Sequence, residues 1–232
     1  GYDPVVGPHV IYEMAKGLLK GNHTEAVTQQ FAILRDMDPK YGKAPRMLLS
    51  EEGNKHCTGA CIDPFLSGDN LRRTAEEVCK LAEGELSDDA REVIETRVDS
   101  MRKGLPRDYD LAAQFYSDAK NRFPEELRSC STFADIRDLC RPVYPEMILQ
   151  IDGMNIDIDM ARDVALKLDD YLCLRTIVYA NLYQTFICWI HQVRPGKDSV
   201  DDFRHIIEAS YCDVFVTQDE KLYRRVSDIN PE

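Results

Sequence analysis

The longest apolar stretch of the chain is the feature that most limits how it can fold. Residues 173–193 are apolar on most faces of a helix, but they include Arg175, Asn181, Gln184 and His191. These polar side chains make the stretch a poor membrane span, because each would be costly to bury in hydrocarbon. A helix that is apolar on most faces is instead typical of a protein core. The sequence therefore predicts a central buried helix.

Helical periodicity dominates much of the remaining chain, since apolar residues recur every three or four positions in several stretches. Ser87 and the two acids after it are typical of a helix start. Two regions rich in proline, glycine and polar residues, 36–50 and 51–70, are predicted as loops. The stretches predicted as helices are residues 10–19, 24–37, 71–82, 88–103, 109–121, 133–139, 157–172, 200–211 and 220–226.

A β-branched run near the end of the chain predicts a strand. Residues 213–217 are Asp-Val-Phe-Val-Thr, and a predicted helix lies on each side of them. Val5-Val6 is a second short apolar run, and residues 147–151 suit either a strand or the start of a helix. Alternation of helix and strand is typical of an α/β protein. We therefore expect an α/β fold with a small, mainly parallel sheet flanked by helices. One domain would span residues 1–232, with 36–172 as a mostly helical insertion or cap.

Charge and cysteine content exclude several classes of protein. The chain has 41 acidic and 29 basic residues, and its net charge of −12 is opposite to that of a protein that binds nucleic acid through its overall charge. None of the spacings between the eight cysteines is that of a zinc quartet. Scattered small hydrophobic residues in a reducing compartment are therefore favoured over disulfides or metal ligands. His56, Cys57 and Cys61 offer three local zinc ligands, but a loop with incidental cysteines is favoured. No signal peptide is evident, and we expect a cytoplasmic protein without membrane contact.

The C-terminal forty residues contain the candidate catalytic residues. Asp202 lies near the start of a predicted helix, and Thr217-x-Asp219 lies at the carboxyl end of the predicted strand. In α/β proteins, functional sites form at the carboxyl ends of the strands. The pattern is Asp202, His205, Ala209, Asp213, Phe215, Val216, Thr217, Asp219, Lys221 and Leu222. This order of residues resembles the end of the PIN-like domain nuclease superfamily. A weaker match at the other end, from Val5 to Ala15, resembles that family's second strand and the helix that carries a metal-site glutamate, here Glu13.

The resemblance implies metal-dependent hydrolysis of phosphodiester bonds by a PIN-like endoribonuclease. Glu13, Asp202 and Asp219 would bind Mg²⁺ or Mn²⁺, since carboxylate oxygens suit these hard cations. Thr217 would orient a ligand or the attacking water, and Asp201 is the alternative to Asp202 if the register shifts by one. The substrate that the resemblance implies is nucleic acid, with RNA favoured over DNA. A second copy of the chain or a regulatory protein is a further partner that the sequence allows.

The family's first strand carries an aspartate that has no clear counterpart here. Three interpretations remain open: the chain is a fragment that lacks this strand, Asp3 is a poor substitute, or Asp152 in Ile151-Asp-Gly-Met-Asn155 belongs to the strand in a different chain order. The fragment interpretation is favoured, with Asp152 next.

Each acid also has an ordinary structural interpretation. Asp219 suits the cap of the last helix and Asp202 the first turn of its helix, while Glu13 suits a solvated helix face. His205, one turn after Asp202, suits a structural hydrogen bond. The alternative function is therefore a catalytically inactive PIN-like scaffold that binds a protein or nucleic acid. An unrelated helical interaction protein is a third hypothesis. Basic residues 16, 20, 35, 40, 43 and 46 suit either phosphate contacts or a solvated surface.

Overall fold

The computed structural model of the chain describes residues 3–19, 24–151, 154, 156–191 and 197–230. Helix accounts for 74% of the structure and strand for 3%. The elements in chain order are β1 (Val5–Val6), α1 (Pro8–Leu19), α2 (Thr24–Met37), β2 (Lys40–Tyr41), α3 (Pro45–Thr58), α4 (Gly68–Ala82), α5 (Asp88–Arg122), α6 (Glu126–Ser129), α7 (Phe133–Cys140), α8 (Tyr144–Leu149), α9 (Ile158–Leu166), α10 (Leu172–His191), α11 (Lys197–Glu208) and α12 (Glu220–Ile229). Two 3₁₀ turns cover Arg141–Val143 and Leu168–Asp170.

The prediction of a PIN-like α/β fold is wrong. In the part of the chain that the structure describes, the only sheet is a parallel pair, in which Val5 lies opposite Lys40 and Val6 opposite Tyr41. The predicted strand at residues 213–217 is irregular, and its Val216 side chain is 87% exposed. A β-branched sequence favours a strand only where a neighbouring strand can bind its backbone groups, and the described residues place none beside this segment.

Prolines explain two further features of the fold. Residues 45–58, predicted as loop, form α3, and this helix begins at Pro45. Of the two alternatives for residues 147–151, the structure shows the helix, since α8 covers Tyr144–Leu149 with Pro145 in its first turn. Proline is favourable at the start of a helix, because the N–H group that it lacks would have no helical partner there. Two separate helices were predicted over residues 88–103 and 109–121, with Gly104-Leu-Pro as the end of the first. The structure instead has one helix, since α5 extends from Asp88 to Arg122.

The chain divides into two compact units, each with its own hydrophobic core. The first unit contains Gly1–Ala44 and Asp63–Gly104, and the second contains Pro45–Ile62 and Leu105–Glu232. α5 has residues in both units. The domain limits expected from the sequence, with 36–172 as an insertion, stay a prediction.

The first unit is built on β1 and β2 and on the packing of α2 between α1 and α4. Phe31 of α2 is fully buried, in contact with a core that includes Tyr12 of α1 and Val78 of α4. The far edge of β2 pairs with an extended segment, because Leu66 N donates to Tyr41 O at 2.7 Å. Helix burial on one face, together with this small sheet, produces the core of the unit.

α1 and α2 approach closely at Gly17. A Cβ atom at this position would lie 2.8 Å from the Cγ2 methyl of Val27 on α2, a distance that real Cβ atoms do not tolerate. Glycine therefore permits the two helices to pack at this separation.

The second unit surrounds α10. This helix buries residues on most of its faces, from Cys173 and Leu174 near its start to Cys188 near its end. Its buried threonines are satisfied within the helix: Thr176 Oγ1 donates to Leu172 O at 2.7 Å, and Thr185 Oγ1 to Asn181 O at 3.2 Å. The prediction of a central buried helix over residues 173–193 is confirmed for the part that the structure describes.

The helices around α10 supply the rest of this core. α3, α7, α8, α11 and α12 pack against α10, and their most buried hydrophobic residues are Leu48, Ile136, Ile148, Ile206 and Ile229. In the described ranges, no helix is both long enough and apolar enough to cross a membrane.

Candidate metal-binding carboxylates

Asp219 caps the N-terminus of α12. Its Oδ1 accepts hydrogen bonds from the backbone N–H groups of Lys221, at 2.8 Å, and Leu222, at 3.1 Å. Thr217 Oγ1 accepts a hydrogen bond from the Asp219 N–H at 3.1 Å. The two backbone donors lower the pKa of the Asp219 carboxyl, and the charges of Lys221 and Arg225 lower it further. The carboxylate is therefore ionised at neutral pH, and its Oδ2 takes no part in the cap.

Asp202 lies in α11 and forms an ion pair with Arg225 of α12. Both side chains are mostly buried, at 27% and 20% exposure, so that water screens their attraction less than at an open surface. The Arg225 guanidinium also lies 5.7 Å from the ring centroid of Phe203, the residue after Asp202. The ring and the carboxylate together hold Arg225 against α11.

Asp202 and Asp219 share Arg225 as an electrostatic neighbour. The arginine pairs directly with Asp202, and its charge is near enough to Asp219 to lower the pKa of that carboxyl. The two acids lie 17 positions apart in the chain, one in α11 and one at the start of α12, so their shared neighbour is a feature of the tertiary structure.

The other predicted ligands belong to the first unit or lie outside the described residues. Glu13 is on α1, in the first unit, and its carboxylate lies 3.5 Å from Lys16 Nζ. Asp3, the suggested substitute for the first-strand aspartate, pairs with Lys40 at 2.9 Å, which lowers the pKa of its carboxyl. The side chain of Asp201 and all of Asp152 lie outside the described part of the chain.

The donor set fits a hard cation only in part. Carboxylate oxygens of Asp202 and Asp219 have the right chemistry for Mg²⁺ or Mn²⁺. Arg225, however, holds the position that a cation would take beside Asp202. Among the residues that the structure describes, no three His, Cys, Asp or Glu side chains are grouped closely enough to hold a metal ion, and this includes His56, Cys57 and Cys61. A cation at this place would therefore compete with Arg225 for the two carboxylates.

A buried carboxylate that no sequence pattern selects lies at the start of α10. Glu52 of α3 is fully buried, and its two oxygens accept hydrogen bonds from the N–H groups of Cys173 at 2.7 Å and Leu174 at 2.9 Å. The Tyr211 hydroxyl donates to Glu52 Oε1 at 2.6 Å. The two N–H groups belong to the first turn of α10, where they have no partner within the helix. Glu52 therefore acts as a cap supplied from another helix.

The environment of Glu52 is structural rather than catalytic. Burial raises the pKa of its carboxyl. The three hydrogen bonds lower this pKa, but by less than burial raises it. Burial and the Glu52 contact also raise the pKa of Tyr211, and burial raises the pKa of the Cys173 thiol. A phenol and a thiol with raised pKa values are poor nucleophiles at neutral pH. The cluster joins α3, α10 and the segment after α11.

Comparison of the chain with protein-family models, with curated proteins and with solved structures finds no match. The resemblance to PIN-like nucleases therefore depends on the pattern of residues from Asp202 to Leu222 and on the weaker match around Glu13.

Proposed function

We propose that the protein hydrolyses phosphodiester bonds of RNA in a reaction that depends on Mg²⁺ or Mn²⁺. The observation that carries the proposal is the ion pair of Asp202 with Arg225, whose charge also acts on Asp219, since the order of residues around these two acids is the one that resembles a nuclease. Glu13 stays a predicted third ligand, on the strength of the resemblance alone.

The two carboxylates would hold the cation through oxygen atoms that the fold leaves available. Asp219 Oδ2 is outside the α12 cap, so binding through this atom would keep the helix capped. Thr217, whose Oγ1 accepts from the Asp219 N–H, would keep that carboxylate in position or orient the attacking water. When bound, the cation would activate a water and stabilise the negative charge that develops on the phosphate.

Arg225 would change partner when the cation binds. Its guanidinium pairs with Asp202, and a bound cation would take its place. Released from Asp202, the guanidinium would be available for a phosphate oxygen, a group that its planar donors suit.

Cleavage of end-labelled single-stranded RNA in the presence and absence of Mn²⁺ tests the proposal. We expect metal-dependent cleavage by the wild type and at least about a hundredfold less by Asp202→Asn and Asp219→Asn, because each removes a charged ligand. Asparagine is as good a helix cap as aspartate, so Asp219→Asn should keep α12 intact. Asp213→Asn is the matched control: Asp213 is an exposed acid of the same pattern, and its loss should leave cleavage unchanged. Equal cleavage by all variants would refute the assignment.

A partner-binding protein without catalytic activity is the second candidate. The observation that favours it is that both acids have structural uses, Asp219 as a helix cap and Asp202 in an ion pair. Absence of metal-dependent cleavage, with Asp202→Asn unfolding more readily than the wild type, would favour this candidate over the nuclease.

A further inference from the structure

α7 and α10 of the second unit lie side by side with a regular register. The ring of Phe133 on α7 contacts Tyr183 of α10, with ring centroids 5.2 Å apart. Four residues later on α7, the guanidinium carbon of Arg137 lies 5.6 Å from the ring centroid of Tyr179, which is four residues earlier on α10. The helices are thus antiparallel. Arg141 directly follows α7 and lies one turn after Arg137, and Arg175 lies one turn before Tyr179 on α10.

The register gathers three arginines around one tyrosine. Burial raises the pKa of the Tyr179 hydroxyl, as does the charge of Asp169, and the charges of all three arginines are near enough to oppose this rise. Three guanidinium groups of like charge repel one another, so the protein keeps them together at an electrostatic cost. The local positive charge of this cluster contrasts with the net charge of −12 of the chain as a whole.

The carboxylates near these arginines hold them only loosely. Asp138 Oδ1 lies 3.8 Å from Arg137 Nε and 3.7 Å from Arg141, and Asp169 Oδ1 lies 3.5 Å from Arg175. A charge-assisted N–H···O hydrogen bond is about 2.7–2.9 Å long. Both carboxylates are largely exposed to water, so these pairs contribute little.

Two of the guanidinium donors are buried without a hydrogen-bond partner. These are the Nε atoms of Arg137 and Arg175. A buried donor without a partner costs free energy, and an acceptor brought into the cluster would remove that cost. Because Arg137 lies over the Tyr179 ring, its orientation is already restricted before any ligand arrives.

We propose that Arg137, Arg141 and Arg175 form a binding site for a phosphate group, either in the backbone of an RNA strand or as a free phosphate. Guanidinium groups present planar pairs of donors that match phosphate oxygens, and three of them supply more positive charge than Asp138 and Asp169 neutralise. The site uses neither Asp202 nor Asp219 and requires no metal, so it stands or falls independently of the proposed cleavage.

Two probes measured in EDTA distinguish the sources of the phosphate. Fluorescence anisotropy measures the binding of a fluorescein-labelled oligouridine of twelve nucleotides, and calorimetry measures the binding of inorganic phosphate. EDTA removes divalent cations, so a failure of the metal site does not affect either measurement. Arg141→Gln and Arg175→Gln should each weaken binding by on the order of tenfold, as expected for loss of a hydrogen bond to a charged group.

Conservative and matched variants separate binding from folding. Arg175→Lys keeps the charge but loses the paired donors, so it should bind better than Arg175→Gln and less well than the wild type. Arg224→Gln is the control for Arg141→Gln, because both side chains are 71% exposed and each is near one carboxylate. Arg224→Gln should bind as the wild type does.

Each outcome decides for or against the site. Oligouridine binding that inorganic phosphate displaces, and that the Arg141 and Arg175 variants weaken, supports the site with RNA as its ligand. Binding of inorganic phosphate alone, with the same sensitivity to these variants, supports the site with a small phosphate as its ligand. Binding of neither probe, or equal weakening by Arg224→Gln, overturns the proposal.

Discussion

Replacement of Glu52 tests how the second unit is held together. Glu52→Ala leaves two N–H groups of α10 and the Tyr211 hydroxyl without their acceptor, in a region that water does not reach. Each unpaired group costs about 1–3 kcal/mol, and loss of the buried negative charge offsets part of the total. We therefore expect the free energy of unfolding to fall by about 3–5 kcal/mol.

Glu52→Gln should cost less, about 1–2 kcal/mol, since the amide keeps the shape and one acceptor oxygen. Urea unfolding followed by circular dichroism measures both variants. Glu126→Gln, at an exposed position of α6, is the control and should stay within about 0.5 kcal/mol of the wild type. A Glu52→Ala variant as stable as this control would show that the three hydrogen bonds do not stabilise the unit.

The pH dependence gives a second test of the same group. Burial raises the pKa of Glu52 above its usual value of 4.5. A carboxyl with a raised pKa contributes most to stability below its unfolded pKa, and the contribution is lost as the pH rises through the folded pKa. The stability of the wild type relative to Glu52→Gln should therefore decrease as the pH rises above 4.5. A relative stability that rises with pH would contradict the burial of the charge.

Three further predictions concern local structure, and urea unfolding measures each. Thr132→Ala removes the N-cap of α7, where Thr132 Oγ1 accepts from Asp135 N at 3.3 Å; the loss should be about 1 kcal/mol, and Thr132→Ser should restore most of it. Gly17→Ala should destabilise the first unit by about 1–2 kcal/mol, because its methyl group meets Val27; a combined Gly17→Ala, Val27→Ala variant that loses the full sum of the single effects would contradict this contact. Val216→Lys should change stability by less than about 0.5 kcal/mol, since the side chain is 87% exposed; a loss of about 2 kcal/mol or more, on the order expected for a packed side chain, would show that the segment is part of a sheet.

Most of the helices, though not α3, were predictable from the sequence. α10 was predicted from an apolar stretch whose few polar residues make it a poor membrane span, and that pattern alone was enough to predict its burial. The interpretation of Asp219 as a helix cap is confirmed, because capping is a local property of adjacent residues. The interpretation of Asp202 as a first-turn acid is wrong, since α11 begins at Lys197 and places Asp202 beyond that turn.

Of the two short runs expected to form strands, Val5-Val6 forms β1 and residues 213–217 do not form a strand. Residues 213–217 have the composition of a strand, but a strand also requires a partner, which lies elsewhere in a chain and is invisible to local pattern. Glu52 was missed for a similar reason: its acceptor role depends on N–H groups 121 and 122 positions away, and nothing in Glu51-Glu52 distinguishes the buried acid from its neighbour.

The link of Asp202 and Asp219 to Arg225 was predictable only in part. The pattern selected both acids and expected two different elements to bring them to one place. It did not select Arg225, which is one of two adjacent basic residues, Arg224 and Arg225. The ion pair between Asp202 and Arg225 crosses between helices, so a linear motif carries no information about it.

Calorimetric titration of Mn²⁺ into the wild type, Asp219→Asn and Arg225→Gln tests the central claim most directly. If Asp202 and Asp219 are a cation site that Arg225 occupies, Arg225→Gln should bind Mn²⁺ more tightly than the wild type, and Asp219→Asn should bind it far more weakly. Circular dichroism of each variant confirms that it is folded. No Mn²⁺ binding by either the wild type or Arg225→Gln would contradict the claim and leave these acids with structural roles alone.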